Sequence, residues 1–347
     1  MSLIDPPVYF VVDDWIRVPE VNTSGTRDKC IFIAPTLESY YFKTSIKQNK
    51  KDYPFEFWSE IAASRLGLLL GLRVLDYHIA SYRDKVGCIS KNMINLLNEE
   101  LVEGVNLIIG FEPNFKDYCK NNHHFSKIET ALKSVGLIEF RRIAVEMVLF
   151  DCLIGNTDRH SENWALIRNK EGESVYADIM KMNFFKRIHK YWQIHKEMQI
   201  PFKKVHKLIA LTRHRFAPFY DNGSSLGREL SEERIEKLLN DDVLFDKFFC
   251  GGKSDIIFDN NKKTFLETID YLLEHYPDEC SHFIYKHLSQ YNKEDFASLI
   301  NNIDMYYPAS GFEESRISNN RKAFIVKLVD ARVNYIYERL KRYGNQV

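Results

Sequence analysis

The chain has 347 residues, of which 45% are hydrophobic and 28% are charged. This length and composition indicate a globular protein with a sizeable core rather than a disordered or fibrous one. Lysine and arginine together number 48, as do aspartate and glutamate. Because the charges balance, the chain has no strong overall field that would attract nucleic acid or an anionic membrane. Any site for an anionic ligand must therefore be built locally.

The cysteines and histidines show no metal-binding pattern. The six cysteines are scattered without a CxxC pair, at Cys30, Cys88, Cys119, Cys152, Cys250 and Cys280. This spacing indicates reduced thiols rather than a disulfide framework or a zinc site. The eleven histidines lack HxxxH spacing and a mixed Cys/His set, so the sequence predicts no histidine metal site. No signal-peptide pattern and no apolar run of membrane-spanning length occur, and we expect a cytoplasmic protein.

Residues 1–95 are predicted to be rich in strands, with one helix. Short β-branched and aromatic runs predict strands at 29–33 and 40–44, after a turn-rich segment at 22–28. Apolar residues at helical spacing predict a helix at 55–69. RVLDYHIASYR and KVGCIS predict two further strands. We expect these residues to form one lobe of the protein.

Residues 96–347 are predicted to be mostly helical. An almost uniformly apolar stretch at 140–155 predicts a buried helix. The stretch at 162–179 predicts a hairpin of two short strands, and HRFAPFYD predicts another extended segment. Further helices are predicted in SEERIEKLLN, KKTFLETIDYLLEHY, CSHFIYKHLSQY, KEDFASLINNI and RKAFIVKLVDARVNYIYERLKRY. The sequence thus predicts an α+β protein with a strand-rich lobe followed by a helical lobe.

The sharpest local feature is the hexapeptide Asp158-Arg-His-Ser-Glu-Asn163, which follows the turn at 155–157. Phosphoryl transfer needs an acidic side chain that orients or deprotonates the acceptor hydroxyl, and an oxygen ligand for a magnesium ion. Protein kinases place these as Asp and Asn five positions apart on one loop, and Asp158 and Asn163 have this spacing. Because the pair also arises by chance, a surface turn with an N-cap is the alternative explanation.

Two other parts of a phosphotransfer site occur in the expected order. Lys43 lies in a predicted strand after a glycine-containing turn, where a kinase keeps the lysine that pairs with the nucleotide phosphates. Glu60 lies on the next predicted helix, where the carboxylate partner of this lysine belongs. Glu56 is one turn earlier on nearly the same face and is the alternative partner. We prefer Glu60.

A second magnesium ligand should follow Asn163 at the end of a strand, and two aspartates compete for this role. Asp178 follows Asn163 at close to the interval that is usual in kinases. Asp221 lies much further along the chain, but it ends an extended run and precedes a Gly-Ser turn. Spacing alone favours Asp178.

Several segments resemble the HipA-like serine/threonine kinases, including the shorter forms that lack an extra N-terminal subdomain. GNTDRHSENWALI resembles their catalytic segment, and IALTRHRFAPFYDNGSSLG resembles their metal-binding segment. SGTRDK, YYFK and SEIAASRLGLLLGLRV resemble their Gly-loop, strand lysine and helical glutamate. The resemblance extends in patches from about residue 20 to 230. It implies a two-lobed protein-kinase-like fold, with ATP and Mg²⁺ as cofactors.

The resemblance also implies a role for each matching residue. Asp158 becomes the catalytic aspartate, and Lys43 and Glu60 become the ion pair. Asn163 and Asp221 become the magnesium ligands, which reverses the choice made from spacing and demotes Asp178.

The Gly-loop of this family contacts the nucleotide, which implies that Ser24, Gly25 and Thr26 bind ATP together with the residues above. In this family the Gly-loop can carry a regulatory phosphoserine. Thr23, Ser24 and Thr26 flank Gly25 here, so autophosphorylation in this segment is a hypothesis.

A basic insert at about 179–210 separates the two metal-binding segments. Residues 181–207 hold eight Lys or Arg residues against a single acidic one, Glu197. Aromatic residues are interleaved with them, at Phe184, Phe185, Tyr191, Trp192 and Phe202. We interpret the insert as an added pair of amphipathic helices that packs its aromatics on the helical lobe. The alternative is a docking surface for an acidic protein substrate, RNA or anionic lipid.

The loop residues predict a phosphotransfer site, and the resemblance implies an ATP-dependent serine/threonine protein kinase that transfers phosphate to a protein hydroxyl. The resemblance adds a toxin-antitoxin-like system, with a small antitoxin-like inhibitor as a partner. A lipid or small-molecule kinase is the nearest alternative, because DRHxxN loops also resemble those of phosphoinositide kinases. A pseudokinase that acts as a binding module is a further alternative. It is disfavoured because all the predicted catalytic positions are occupied.

Overall fold

The computed structural model describes residues 4–19, 29–48, 51–116 and 122–344. The predicted Gly-loop residues Ser24, Gly25 and Thr26 lie outside these ranges. The described strands are β1 Tyr9–Val11, β2 Ile16–Val18, β3 Lys29–Ile33, β4 Ser39–Thr44, β5 Lys47–Gln48, β6 Lys51–Asp52, β7 Tyr77–Tyr82, β8 Lys85–Lys91, β9 Glu99–Glu103, β10 Ala165–Asn169, β11 His214–Phe216, β12 Lys253–Phe258 and β13 Asn261–Thr264.

The helices follow the same order along the chain. They are α1 Glu56–Leu69, α2 Gly104–Ile109, α3 Phe125–Ser134, α4 Arg141–Ile154, α5 Lys170–Lys181, α6 Phe184–Met198, α7 Phe202–Thr212, α8 Glu232–Asn240, α9 Asp242–Gly251, α10 Phe265–His275, α11 Pro277–Lys286, α12 Lys293–Asn301 and α13 Asn319–Gly344. Short 3₁₀ helices lie at Ile138–Phe140, Leu288–Gln290 and Glu313–Ser315. Within the described ranges, we find no helix with the length and apolarity that a membrane span requires.

The chain forms two compact units. The first contains the described residues of Met1–Asn92, Ala144–His160 and Pro218–Val347. The second contains those of Met93–Ile143 and Ser161–Ala217. The hexapeptide from Asp158 to Asn163 therefore begins in the first unit and ends in the second.

The first unit contains a six-stranded sheet with the strand order β1-β7-β8-β4-β3-β2. β1 runs parallel to β7, and the other neighbours are antiparallel. Successive side chains of a strand point to opposite faces, so Phe42 and Lys43 of β4 diverge. Phe42 packs with Phe32 and Ile89 in an apolar cluster. Lys43 is thereby directed to the opposite face of the sheet, where it meets Glu60 of α1.

The strands and helix predicted for the first 95 residues match β3, β4, β7, β8 and α1 closely. The prediction for residues 162–179 is partly wrong. Its first strand is β10, but its second strand is the helix α5. The side chain of Asn169 caps this helix by accepting a hydrogen bond from the Gly172 amide (2.8 Å), and two glutamates lie in its first turn. Both features stabilise a helix N-terminus, and they outweigh the turn tendency of Lys170–Gly172.

Strands beyond residue 95 are more numerous than the sequence suggested. β9, β10 and β11 form an antiparallel sheet in the second unit. β12 and β13 form a hairpin in the first unit. The five residues of β9 include Glu99, Glu100 and Glu103, which are poor strand formers, so this strand depends on its pairing with β10.

The basic insert is helical, as interpreted, but most of its aromatic side chains do not pack as predicted. Ile179, Val205 and Ile209 form the core of the insert, which joins α5 and α7. Tyr191 and Ile194 of α6 contact this core. By contrast Phe184, Phe185 and Trp192 are 65%, 81% and 46% exposed. Phe185 and Trp192 occupy another face of α6, because the helical period separates them from Tyr191 and Ile194, whereas Phe184 is exposed in the first turn of the helix.

Candidate active site

Lys43 is held between two carboxylates in the first unit. Its Nζ donates hydrogen bonds to Glu60 Oε2 and to Asp221 Oδ1, the latter at 3.0 Å. The side chains of Lys43, Glu60 and Asp221 are only 11%, 0% and 13% exposed. Three groups from β4, α1 and the segment after β11 thus form one nearly buried ionic cluster.

Charge pairing keeps Lys43 protonated in this buried position. Burial by itself would lower the pKa of its ammonium group, but Asp221 and Glu60 together raise that pKa above its usual value. The ammonium also lies 5.1 Å from the ring centroid of Tyr77, which favours a cation. A permanently charged lysine in a partly accessible cluster is suited to binding an anionic ligand.

Glu60, not Glu56, is the carboxylate partner of Lys43. Glu56 Oε1 instead accepts a hydrogen bond from Arg228, and its Oε2 accepts one from the Ile46 amide at 3.0 Å. Although both glutamates lie on α1 and are buried, one turn of helix directs them to different partners. The pairing preferred from the sequence is therefore the one observed.

The backbone around Asp221 is tied to Glu60. The Asn222 amide donates to Glu60 Oε1 at 2.9 Å. Asp221 itself has φ +56°, in the left-handed region that non-glycine residues rarely adopt. Surrounding hydrogen bonds must hold such a conformation, and it is common at functional sites.

Gly223 permits the close approach of this turn to α1. A β-carbon at Gly223 would lie 3.0 Å from Glu60 Oε2 and 3.1 Å from Glu56 Cγ. The neighbouring segment and the two glutamates would have to move apart to admit it.

We therefore expect Gly223→Ala to displace the Glu60 carboxylate and to lower catalytic turnover by up to about 100-fold. A radiolabelled ATP assay measures the effect. Gly251→Ala is the matched control, because a β-carbon there meets nothing within 4 Å. Equal turnover by Gly223→Ala and Gly251→Ala would show that a β-carbon at position 223 does not disturb the Glu60 carboxylate.

Asp158 follows the buried helix α4, at the end of a turn that reverses the chain. Gly155 has φ +69°, which suits the residue after a helix C-terminus. The Thr157 amide then donates to the Ser224 carbonyl at 3.0 Å. Asp158 Oδ2 accepts a hydrogen bond from Ser224 Oγ at 3.3 Å. Asp158 is half-buried, so its carboxylate is oriented without being sealed from solvent.

Arg159 connects parts of the candidate site, and the sequence did not single it out. It is fully buried, and its guanidinium donates to both oxygens of Asp151, at 2.8 and 2.7 Å. It also donates to the Tyr220 carbonyl (2.8 Å) and to Asn222 Oδ1 (2.6 Å), on either side of Asp221. Arg159 thus fixes the Asp158 loop to the Asp221 turn. Asp151, a carboxylate amid the apolar residues 147–154, was the available signal for such a partner.

The remaining predicted residues lie in the second unit. Asn163 is buried, in the turn that precedes β10. Asp178 is on the exposed face of α5, rather than at the end of a strand. Asp178, which spacing favoured, therefore does not end a strand as a second magnesium ligand was expected to do, whereas Asp221 lies beside Lys43.

A comparison with solved structures identifies the fold. A Helicobacter pylori proinflammatory kinase, CtkA, superposes with a TM-score of 0.70 over 97% of this chain and 99% of that one, at 17% sequence identity. The chain has a two-lobed protein-kinase-like fold. This confirms the predicted fold class and, at the level of the fold, the resemblance noted in the sequence. The sequence identity is low, so the superposition establishes architecture and not activity.

Weaker likenesses accompany this one. HipA of Shewanella oneidensis MR-1, in a complex with HipB and operator DNA, gives a TM-score of 0.48 and 12% identity over 94% of this chain and 66% of that one. A Golgi casein kinase gives a TM-score of 0.40 and 11% identity over 98% and 74%. No protein-family model and no curated protein sequence matches the chain.

Proposed function

We propose that the chain is an ATP-dependent serine/threonine protein kinase of the HipA-like type. The observation that carries the proposal is the buried Lys43–Glu60–Asp221 cluster, because each residue also matches a kinase-like motif in the sequence. A protein kinase needs this lysine–glutamate pair and this aspartate for catalysis. The same proposal makes residues 1–95 the nucleotide-binding lobe. It makes residues 96–347 the helical lobe, which carries the basic insert.

Asp158 is proposed to accept the proton of the acceptor hydroxyl during transfer. Its Oδ2 accepts a hydrogen bond from Ser224 Oγ, which orients the carboxylate for this role. Lys43, held cationic by Glu60, is proposed to bind the nucleotide phosphates. Arg159 holds the Asp158 loop against the Asp221 turn by donating hydrogen bonds to the Tyr220 carbonyl and to Asn222 Oδ1.

Asp221 and Asn163 are proposed to hold Mg²⁺. A carboxylate and an amide oxygen are the hard ligands this ion prefers, so the donor set fits. When bound, Mg²⁺ neutralises charge on the transferring phosphoryl group. The left-handed turn at Asp221 places its carboxylate beside Lys43, the residue proposed to bind the phosphates that the ion would contact.

Asp221→Asn and Asp178→Asn together test the assignment. We expect Asp221→Asn to lower Mg²⁺-dependent phosphoryl transfer by about 10²–10³-fold, because a charge that stabilises the transferring group is lost. Asp178→Asn should leave the rate unchanged, because Asp178 is exposed on α5. Transfer from radiolabelled ATP to a protein extract, measured across a Mg²⁺ titration, gives both rates. The reverse ranking of the two variants would exclude Asp221 as the ligand.

The basic insert is proposed to dock an acidic partner. Phe185 and Trp192 are exposed, and Lys196 lies 3.9 Å from the Trp192 ring centroid. Exposed aromatics beside lysines are typical of helices that lie on anionic lipid. This observation favours a lipid kinase as the second candidate function, and radiolabelled ATP with protein extract or with lipid vesicles separates the two.

We expect Phe185→Ser with Trp192→Ser to lower affinity for phosphatidylserine vesicles about 100-fold, since each lost aromatic contact is worth about tenfold. ATP binding should not change. Tyr285→Ser is the matched control, because Tyr285 is also 81% exposed but lies on α11. Vesicle co-sedimentation measures the effect. If the wild-type protein binds RNA or an acidic protein but does not bind vesicles, anionic lipid is excluded as the partner of the insert.

Autophosphorylation near Gly25 and neutralisation by a small antitoxin-like protein complete the proposal. Both are implied by the sequence resemblance. Mass spectrometry of protein incubated with MgATP tests the first, and absence of phosphate between residues 20 and 30 would contradict it.

A further inference from the structure

Three side chains with metal-ligating atoms meet in the first unit, apart from the Lys43 cluster. Glu146 lies on α4, His282 on α11, and His287 directly after α11. One ligand atom from each lies within 4.8 Å of the other two. Within the described ranges this is the one such group of three His, Cys, Asp or Glu side chains. Sequence spacing did not indicate it, because Glu146 is supplied by a distant helix.

A hydrogen bond at Nδ1 holds each of the two histidine rings. His282 Nδ1 lies 2.8 Å from Glu146 Oε1. His287 Nδ1 lies 2.9 Å from the Leu70 carbonyl, to which it donates, so its Nε2 is the atom left with a lone pair. A metal-bound histidine usually donates its other ring N–H to a backbone carbonyl or carboxylate in this way. His287 therefore has its tautomer and ring orientation already fixed.

The surroundings suit a small divalent cation with nitrogen and oxygen ligands. Glu146 and His287 are buried, whereas the His282 side chain is 29% exposed. The exposed histidine gives a route from solvent and space for a water as a fourth ligand. Tetrahedral Zn²⁺ bound to nitrogen and oxygen separates its ligand atoms by roughly 3.3 Å. The three ligand atoms already lie within 4.8 Å of one another, so small rotations of the side chains, including the partly exposed His282, bring them to this spacing.

We propose that Glu146, His282 and His287 form a Zn²⁺ site with two histidines, one carboxylate and a water. The ion takes the place of the direct hydrogen bond between His282 Nδ1 and Glu146 Oε1. It links α4, which leads into the Asp158 loop, to α11. Through the His287–Leu70 hydrogen bond it also braces the end of α1, which carries Glu60. The site is structural and does not depend on the proposed kinase activity.

Metal binding to the full-length chain tests the proposal. After removal of metal with a chelator, Zn²⁺ is titrated against a chromophoric competitor, and Co²⁺ is added to a second sample. We expect one tight equivalent of Zn²⁺, a rise in Tm, and the intense visible bands of tetrahedral Co²⁺. Loss of an outer-shell partner already costs about 10–100-fold in affinity, so His282→Ala should weaken Zn²⁺ binding by at least about tenfold.

Three further variants make the outcome decisive. Glu146→Gln should lose the site as His282→Ala does, and it keeps the test decisive if His282→Ala fails to fold. His275→Ala should bind Zn²⁺ normally, because His275 is an exposed histidine on α10 outside the cluster. Asp221→Asn should also bind normally, which separates this site from the proposed Mg²⁺ ligands. Absence of Zn²⁺ binding, or full binding by His282→Ala, would overturn the proposal.

Discussion

Asp158→Asn is expected to lower the rate of phosphoryl transfer by about 10²–10⁴-fold, the usual contribution of a positioned general base. Asparagine has nearly the same shape, and its side-chain oxygen can still accept the hydrogen bond from Ser224. The fold of the loop should therefore persist while the proton acceptor is lost. Single-turnover transfer from radiolabelled ATP measures the rate, and a fluorescent ATP analogue measures nucleotide affinity, which should remain unchanged.

This variant also separates an enzyme from a pseudokinase. The Asp178→Asn protein serves as the control, since it removes an exposed carboxylate from α5 and should transfer phosphate normally. If the Asp158→Asn protein retained the wild-type transfer rate, Asp158 would not be the base. If a cellular phenotype survived the loss of transfer, the chain would act there as a binding module.

Arg159→Met is expected to have the largest effect on stability. It leaves the Asp151 carboxylate buried with 0% exposure and without the bidentate partner that compensates its charge. Breaking a buried ion pair in this way typically costs about 3–5 kcal/mol of unfolding free energy. Burial lowers the pKa of the Arg159 guanidinium, but Asp151 outweighs burial and raises it, so Arg159 stays protonated in the folded protein. Urea denaturation measures the loss.

A double variant separates the cost of the uncompensated Asp151 charge from the cost of losing the Arg159 side chain itself. Replacing Asp151 by leucine in the Arg159→Met background removes the stranded charge, so part of the lost stability should return. Phosphoryl transfer should stay low in both proteins, because the bonds from Arg159 to Tyr220 and Asn222 are absent. Lys237→Met, which breaks an exposed pair with Glu233, should change stability little. If Arg159→Met were no more destabilising than this control, the network would have no structural role.

Local patterns predicted much of the fold because they depend on nearby residues. The alternation of β3 and β4, the apolar spacing of α1 and the apolar helix α4 are all visible in short windows. The errors arose where tertiary pairing or capping decided. β9 is stabilised by β10, although its sequence is rich in glutamate. Residues 170–181 form a helix because Asn169 caps it, which a propensity for turns obscured.

The candidate site residues also divide into those that a short stretch of sequence reveals and those that only tertiary contacts reveal. Asp158 and Asn163 could be found from one loop, since their spacing carries kinase chemistry by itself. Arg159 was missed because its partners, Asp151, Tyr220 and Asn222, come from separate parts of the chain. The Glu146–His282–His287 group was missed for the same reason, as a metal site assembled across helices leaves no spacing signature.

The sequence by itself determined the strand-rich first part, the buried helix before Asp158 and the loop that carries it. Only the tertiary structure decided that Glu60 and not Glu56 pairs with Lys43, and that Asp221 joins them while Asp178 lies exposed on α5. The physical reason is that helical phase and chain path, not sequence distance, set which buried charges meet. The buried Lys43 ammonium needs carboxylates within hydrogen-bonding distance. The fold brings them there from α1 and from the segment after β11.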